Sequence, residues 1–216
     1  MNQLQQTISQ FITLSQSELT AIRQHAQVWR IKKGDVYQQE DTVCRKLGFL
    51  QKGVLRVYHS RNEKEITKYF NTEGRNPFVA SFKSFLTGRP SHETIVALED
   101  CEMLTIKKTE LENLYERFHQ IETLGRKLAE YNYLLGLERI DSLQYQSAGT
   151  RYEQFLKLYP GLINRVPHHY IASYLGVTAE SLSRIRSMEQ MKEDMARKRA
   201  EQAKRAAKQT AEGETK

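Results

Sequence analysis

Val166-Pro167-His168-His169-Tyr170-Ile171-Ala172-Ser173-Tyr174-Leu175-Gly176-Val177-Thr178-Ala179-Glu180-Ser181-Leu182-Ser183-Arg184-Ile185-Arg186 combines two short helical patterns with a sharp break between them. Pro167 can open the first helix, where its missing N–H costs nothing. Ile171, Ala172 and Leu175 share an inward face, and the small Ala172 allows a second helix to cross closely. Gly176 supplies the left-handed backbone that ends the first helix. Val177 plugs the core beneath the turn, and Thr178 caps the second helix. Leu182 and Ile185 anchor that second helix, so Ala179, Glu180, Ser181, Ser183, Arg184 and Ser187 project outward. The pattern predicts a helix-turn-helix whose outward helix spans about residues 179–190. Arg184 can grip the O6 and N7 of a guanine, and Glu180 can accept from a cytosine N4. Four residues apart, the two share one helix face. His168 and His169 are placed to flank a DNA backbone or to cap the first helix. Their adjacency sets them about 100° apart, which disfavours a shared metal.

Charge supports the same partner. The chain has 216 residues with 33 Lys and Arg against 26 Asp and Glu, a net +7. Residues 150–188 hold five basic and two acidic residues, a net +3 that is denser than the net charge of the segment before or after it. Residues 189–216 hold eight basic and six acidic residues, and have no Leu, Ile, Val or aromatic side chain. Such a tail cannot bury enough surface to offset chain entropy, and reads as a frayed helical extension or disorder. No apolar run approaches a membrane span, and the first ten residues lack a signal-peptide layout. A cytoplasmic location is therefore expected. Two cysteines, Cys44 and Cys101, are too few for a four-thiolate cluster.

Upstream, residues 17–27 read as a short amphipathic helix with Ser17 as its cap. Short β-like runs follow at Val28–Ile31, Leu47–Leu50, Val54–Tyr58, Ile66–Phe70, Thr94–Leu98 and Met103–Ile106. Breaks fall at Lys33-Gly34-Asp35, Lys52-Gly53, Arg61-Asn62-Glu63 and Glu73-Gly74. This spacing predicts an antiparallel roll or barrel. Past Lys108 the period becomes helical, with Thr109 and Glu112 in capping-box positions. Ile121, Leu124, Leu128, Tyr131 and Leu135 then form one seam on a helix that runs to about Leu143. That seam needs cover from the roll or from the same helix in a second subunit; we take the second, which makes these five residues a dimer interface. A further helix, started by Ser147 or Thr150, carries Tyr152, Phe155, Leu156 and Tyr159 and stops at Pro160-Gly161.

Together with the strands and the long helix, the run Ile171-Ala172-x-x-Leu175-Gly176-Val177-Thr178-x-Glu180-x-Leu182-Ser183-Arg184 resembles the DNA-reading signature of the Crp–Fnr family of dimeric bacterial transcription regulators. The resemblance covers roughly residues 10–190. It implies an α+β chain: a jelly-roll-like antiparallel β-roll over 1–108 that resembles a cyclic nucleotide-binding domain, and a linker and dimerisation helix over 109–146. A winged helix-turn-helix over 147–190 and the charged tail, 191–216, complete it. It further implies a homodimer on an inverted-repeat operator, with RNA polymerase as a further partner. By position Thr178 matches a phosphate contact, and Glu180, Ser181 and Arg184 match base-reading positions. Ala179 stands where some members have another base-reading Arg. The wing strands are hard to find after Met188, and Leu162–Val166 is the alternative place for a hairpin.

Nucleotide-binding members of that family hold the cyclic phosphate with a Gly-Glu pair and a later Arg-Ser or Arg-Thr. Here Ala80-Ser81 replaces the first pair, and Ser91 or His92 falls where the Arg belongs. Arg89 fits only if the loop shifts by two residues, and Glu93 would repel a phosphate. The resemblance therefore leaves Glu73, Gly74, Ser81, Arg89, Ser91 and His92 as an effector pocket for another small molecule, or for none, and cyclic AMP is not expected. Cys44 beside Arg45 and Lys46 is either an ordinary reduced cysteine or an oxidant-sensitive thiolate. No metal site, cofactor or catalytic constellation is indicated. The competing function is a ligand-binding sensor or adaptor whose helical domain contacts a protein.

Overall fold

Between Gln27 and Lys107 several reversals of the chain use a residue with a left-handed backbone, as at Gly53 (φ 113°) and Asn62 (φ 48°). The computed structural model describes residues 2–62 and 64–213. The sequence-predicted break at Arg61-Asn62-Glu63 is the β-hairpin tip seen there, although Glu63 itself lies outside the described residues. The strands are β1 (Gln27–Ile31), β2 (Val36–Gln38), β3 (Lys46–Lys52), β4 (Val54–Arg61), β5 (Lys64–Thr72), β6 (Phe78–Val79), β7 (Thr94–Ala97) and β8 (Cys101–Lys107). They form two antiparallel four-stranded sheets, in the orders β1-β8-β3-β6 and β2-β7-β4-β5. All six expected runs are strands. The two missed strands, β2 and β6, are three and two residues long, too short to show an alternation.

The sheets bury Leu50, Leu55, Val57, Val79, Ile95 and Met103 between them. Two helices precede the roll, α1 (Asn2–Ser9) and α2 (Gln16–His25); α3 (Phe82–Thr87) interrupts it; and α4 (Lys108–Arg117) leaves it. The cap of α2 is Ser15 rather than Ser17. Ser15 Oγ accepts from the Glu18 N–H at 3.3 Å, while Glu18 Oε2 accepts from the Ser15 N–H at 2.7 Å. The Ser-x-x-Glu spacing of that reciprocal pair was present in the sequence. Thr109 is likewise not a cap. The chain passes from β8 straight into α4, Lys107 occupies the cap position without a side-chain bond, and the Lys108 N–H donates to the Arg45 carbonyl.

The long helix is α5 (His119–Tyr145), 27 residues. Its predicted seam is spent within the chain. Ile121, Leu124 and Leu128 are buried, the first in a cluster with α4 and Phe85, the others against Leu4 and Ile8 of α1 and Phe49 and Leu104 of the roll. Tyr131 packs edge-on against Phe11, and Leu135 is half-buried. The α1 helix, unread in the sequence, covers part of the seam, so these five residues are not the open face. That face carries Tyr133, Leu134, Leu137 and Ile140 instead, exposed by 67%, 56%, 40% and 51%.

Three helices complete the chain: α6 (Ala148–Leu158), α7 (His168–Leu175) and α8 (Ala179–Gly213). Ser147 caps α6 by accepting from the Thr150 N–H. Among the described residues no strand follows β8, and Leu162–Asn164 is a 3-10 turn, so neither place considered for the wing holds a hairpin. The charged tail continues α8 through Gly213; residues 214–216 lie outside the described residues. Among the described residues no helix is long and apolar enough to cross a membrane.

Gly53 joins β3 to β4 in a conformation that side chains resist, and a Cβ there would lie 2.5 Å from Cys101 Sγ and 2.9 Å from the Cys101 Cα. Gly53→Ala should therefore destabilise the protein by at least about 2 kcal/mol in urea unfolding. Gly74→Ala, whose Cβ meets nothing within 4 Å, should leave the midpoint nearly unchanged.

Candidate nucleic-acid interface

The predicted helix pair forms as the residue types require. Pro167 sits at the cap position of α7, and Ile171, Ala172 and Leu175 are buried. Gly176 adopts φ 68°, ψ 36°, the left-handed cap expected of it. The Val177 N–H closes back onto the Ala172 carbonyl at 3.0 Å, and Val177 packs on the core beneath. Thr178 Oγ1 accepts from the Ser181 N–H at 3.2 Å, capping α8. Leu182 and Ile185 are buried below.

Ala179, Glu180, Ser183, Arg184 and Ser187 are exposed, and Ser181 is half-buried beside its cap. Hydrogen bonds from its own backbone N–H and from Thr178, then the charge of Arg184, hold the Glu180 carboxyl below its ordinary range. Glu180 is thus a ready acceptor at neutral pH. Ser187 donates to the Ser183 carbonyl at 3.2 Å, which turns its hydroxyl along the helix. His168 and His169 are both exposed at the start of α7. Arg186 reaches the His168 ring at 2.7 Å and so ties the two helices together at that end.

The sequence did not indicate how firmly this pair is held to the roll. The Arg56 guanidinium of β4 lies 3.7 Å from the Tyr170 ring of α7 and 4.4 Å from the Tyr58 ring. Its other bonds go to Glu65 (2.5 Å) and Thr67 (2.9 Å). Ser173 accepts from the Thr67 N–H at 2.9 Å and donates to the Glu65 carbonyl at 3.1 Å. Arg165 bridges Glu73, at 3.1 Å, and Glu99. The bond to Glu99, then Glu73, raises the affinity of Arg165 for its proton. Phe70 of β5 stacks with Phe155, Tyr159 and Tyr174, so roll and helices share one buried cluster.

The residues expected to hold an effector are dispersed. Ser81 and Ser91 meet, but their hydroxyls bond each other at 2.9 Å and both are buried, with Ser91 also donating to the Glu93 carbonyl. Arg89 and His92 are exposed. Glu73 is engaged with Arg165, and Gly74 lies beside it in the turn after β5. Cys44 is 1% exposed and burial pushes its thiol up, so the lowered thiolate suggested by Arg45 and Lys46 is not formed.

Residues 28–118, from β1 to the end of α4, match the family model of the cyclic nucleotide-binding domain. Over most of its length the chain is similar to solved structures at low identity. FixK2 from Bradyrhizobium japonicum shares 18% identity with a TM-score of 0.65, covering 77% of this chain and 85% of that one. A putative transcriptional regulator of the Crp/Fnr family from Eubacterium rectale shares 19% with a TM-score of 0.64, covering 83% and 85%. The c-di-GMP responsive global regulator CLP of Xanthomonas campestris shares 14% with a TM-score of 0.63, covering 82% and 93%. No curated protein sequence matches the chain significantly.

Both thiols are buried, and burial pushes Cys101 up to about 11. The native protein at pH 8 should therefore resist 5,5′-dithiobis(2-nitrobenzoate) for many minutes and yield both thiols once denatured. Cys44 labelling at the rate of a free thiol would contradict this environment.

Proposed function

We propose that this chain, which carries a cyclic nucleotide-binding domain over residues 28–118 and has the fold of Crp–Fnr family regulators, is a homodimeric, sequence-specific DNA-binding transcription regulator. The observation that carries this reading is the capped α8 N-terminus, which leaves Glu180, Ser183 and Arg184 exposed on a helix anchored by Leu182 and Ile185. Thr178 and the positive end of that helix suit a phosphate, and Arg184 with Glu180 suits base edges. His168 and His169 would flank the backbone, and Ser181 and Ser187 would supply adaptable contacts. The division of labour at residues 108, 146 and 190 belongs to this reading.

Dimerisation is assigned to the open face of α5, Tyr133, Leu134, Leu137 and Ile140. An apolar stripe of this kind is what a paired helix buries. Two copies would place two α8 helices in successive major grooves, roughly 34 Å apart, on an inverted repeat. Within the roll, the mutual bond of Ser81 and Ser91 and the carboxylate of Glu93 argue against a cyclic AMP phosphate at the family's usual cradle.

Arg184→Ala should remove about 1–3 kcal/mol of discrimination at one base position while a salt-sensitive nonspecific term remains. A binding-site selection followed by anisotropy titrations measures this, and unchanged selectivity would sink the assignment of Arg184. Ile140→Glu should give a monomer in light scattering with an unaltered circular dichroism spectrum; a persisting dimer would move the interface elsewhere.

A further inference from the structure

Where β3 begins and β8 ends, the roll gathers cations that the fold itself does not favour. Lys46 and Lys107 are direct partners across the β3–β8 ladder, and both are exposed. Like charges in that position repel. Arg45 and Lys108 follow at the next step, with the Lys108 N–H on the Arg45 carbonyl at 2.8 Å. Lys107 and Lys108 also occupy the cap and the first position of α4, the positive end of a helix, where a cation is again unfavourable. The short helix α3 adds two more. The Cys44 N–H donates to Ser84 Oγ at 2.9 Å, Ser84 Oγ donates to the Arg89 carbonyl at 2.5 Å, and Lys108 Nζ reaches the Leu86 carbonyl at 3.5 Å. Lys83 and Arg89 are thereby brought to the same surface, and both are exposed.

The carboxylates nearby are few and mostly engaged. Glu112 lies 3.8 Å from Lys108, Glu110 is 2.6 Å from His25, and Glu102 is 2.8 Å from Arg30 on β1. Asp41 stands in the turn before Val43, which bridges to Pro90. Among the described residues Arg45, Lys46, Lys83, Arg89 and Lys107 form no ion pair. The Lys46 ammonium lies over the Trp29 ring instead, 4.3 Å from its centre. Between Lys83 and Arg89 in the chain, Leu86 is 63% exposed. Costs of this kind, repeated at a sheet ladder and at a helix end, are retained where an outside group relieves them.

We propose that this face docks an acidic segment of another protein, with carboxylates for the β3–β8 and α3 cations and an apolar side chain for Leu86. The Lys46–Lys107 pair, roughly 5 Å apart at the Cα atoms, matches the spacing of carboxylates one turn apart on a helix. An apolar spot within a cationic rim is the anatomy of a protein contact. A duplex backbone makes no use of Leu86, and one leucine is too little apolar surface to hold a bilayer. The face belongs to the roll and to the start of α4, not to α7 or α8. It therefore does not rest on the DNA-binding proposal, and either can fail without the other.

The probe is a fluorescein-labelled acidic peptide, Glu-Leu-Ala-Glu-Glu repeated over about fifteen residues so that it can form a helix, titrated with the full chain and read by anisotropy. Lys46→Glu combined with Lys107→Glu should weaken its binding about tenfold or more, and Leu86→Ser should weaken it severalfold at unchanged charge. Arg61→Glu combined with Lys64→Glu, the same charge change at the exposed β4–β5 hairpin tip, should alter it less than about threefold. Lys107→Glu alone should raise the thermal midpoint by about 2–4 °C, since it relieves both repulsions; a lowered midpoint would refute the strain that points to a partner. Circular dichroism checks the fold of each variant. Equal weakening by the hairpin variant, or unchanged binding in the folded Lys46→Glu, Lys107→Glu protein, would overturn the surface. If random-sequence duplex DNA or phosphatidylglycerol vesicles lose affinity on these substitutions while the peptide does not, the face serves a nucleic acid or a lipid and the proposal is wrong.

Discussion

Arg56 is a charged residue with 1% of its surface exposed, and a buried guanidinium is costly unless its charge and its donors are matched. In-plane donors go to Glu65 and Thr67, while Tyr58 and Tyr170 lie against the group. Tyr170 belongs to α7, so the helix pair supplies part of the environment that makes this burial tolerable. The same contact solves a problem of the sheet. β5 is an edge strand, and its Thr67 N–H is taken by Ser173 of α7 instead of being left to template another chain. The roll is thus completed by the helices it positions.

That dependence explains which parts of the chain were legible in the sequence. The helix-turn-helix was read almost residue by residue, because each determinant acts within a few positions: Gly176 at the turn, Thr178 at the cap, Leu182 and Ile185 one turn apart. The six longer strands were legible for the same reason. Arg56 with Tyr170, and Arg165 with Glu73, are separated by about a hundred residues, and no local spacing announces such pairs. The Ser15 cap was legible and was misplaced by two residues.

The long helix shows how a correct period can still give a wrong face. Ile121, Leu124, Leu128, Tyr131 and Leu135 do fall on one stripe, but α1 and α4 bring their own apolar residues to its first half. The second half carries another stripe, Tyr133 to Ile140, rotated from the first. A helix of 27 residues can serve the roll with one end and a partner with the other. Periodicity alone cannot say which stripe is already occupied when the covering helix α1 goes unread.

Charge needs the same redistribution. The five basic residues of 150–188 suggested a phosphate-binding surface. Yet Arg165 is held between Glu73 and Glu99, Arg151 is turned onto the Leu175 and Gln146 carbonyls, and Arg186 is engaged with His168. Lys157 and Arg184 remain exposed. Much of the local positive charge therefore ties the helices to the roll and to each other. The turn end of the helix pair, where Arg184 stands, has few open cations around it and gains little there from counterion release. On the proposed reading its affinity must come from base contacts made twice, through a second copy held at fixed spacing. On that reading the open stripe on α5 and the exposed Arg184 on α8 depend on each other: the first sets the spacing at which the second is used twice.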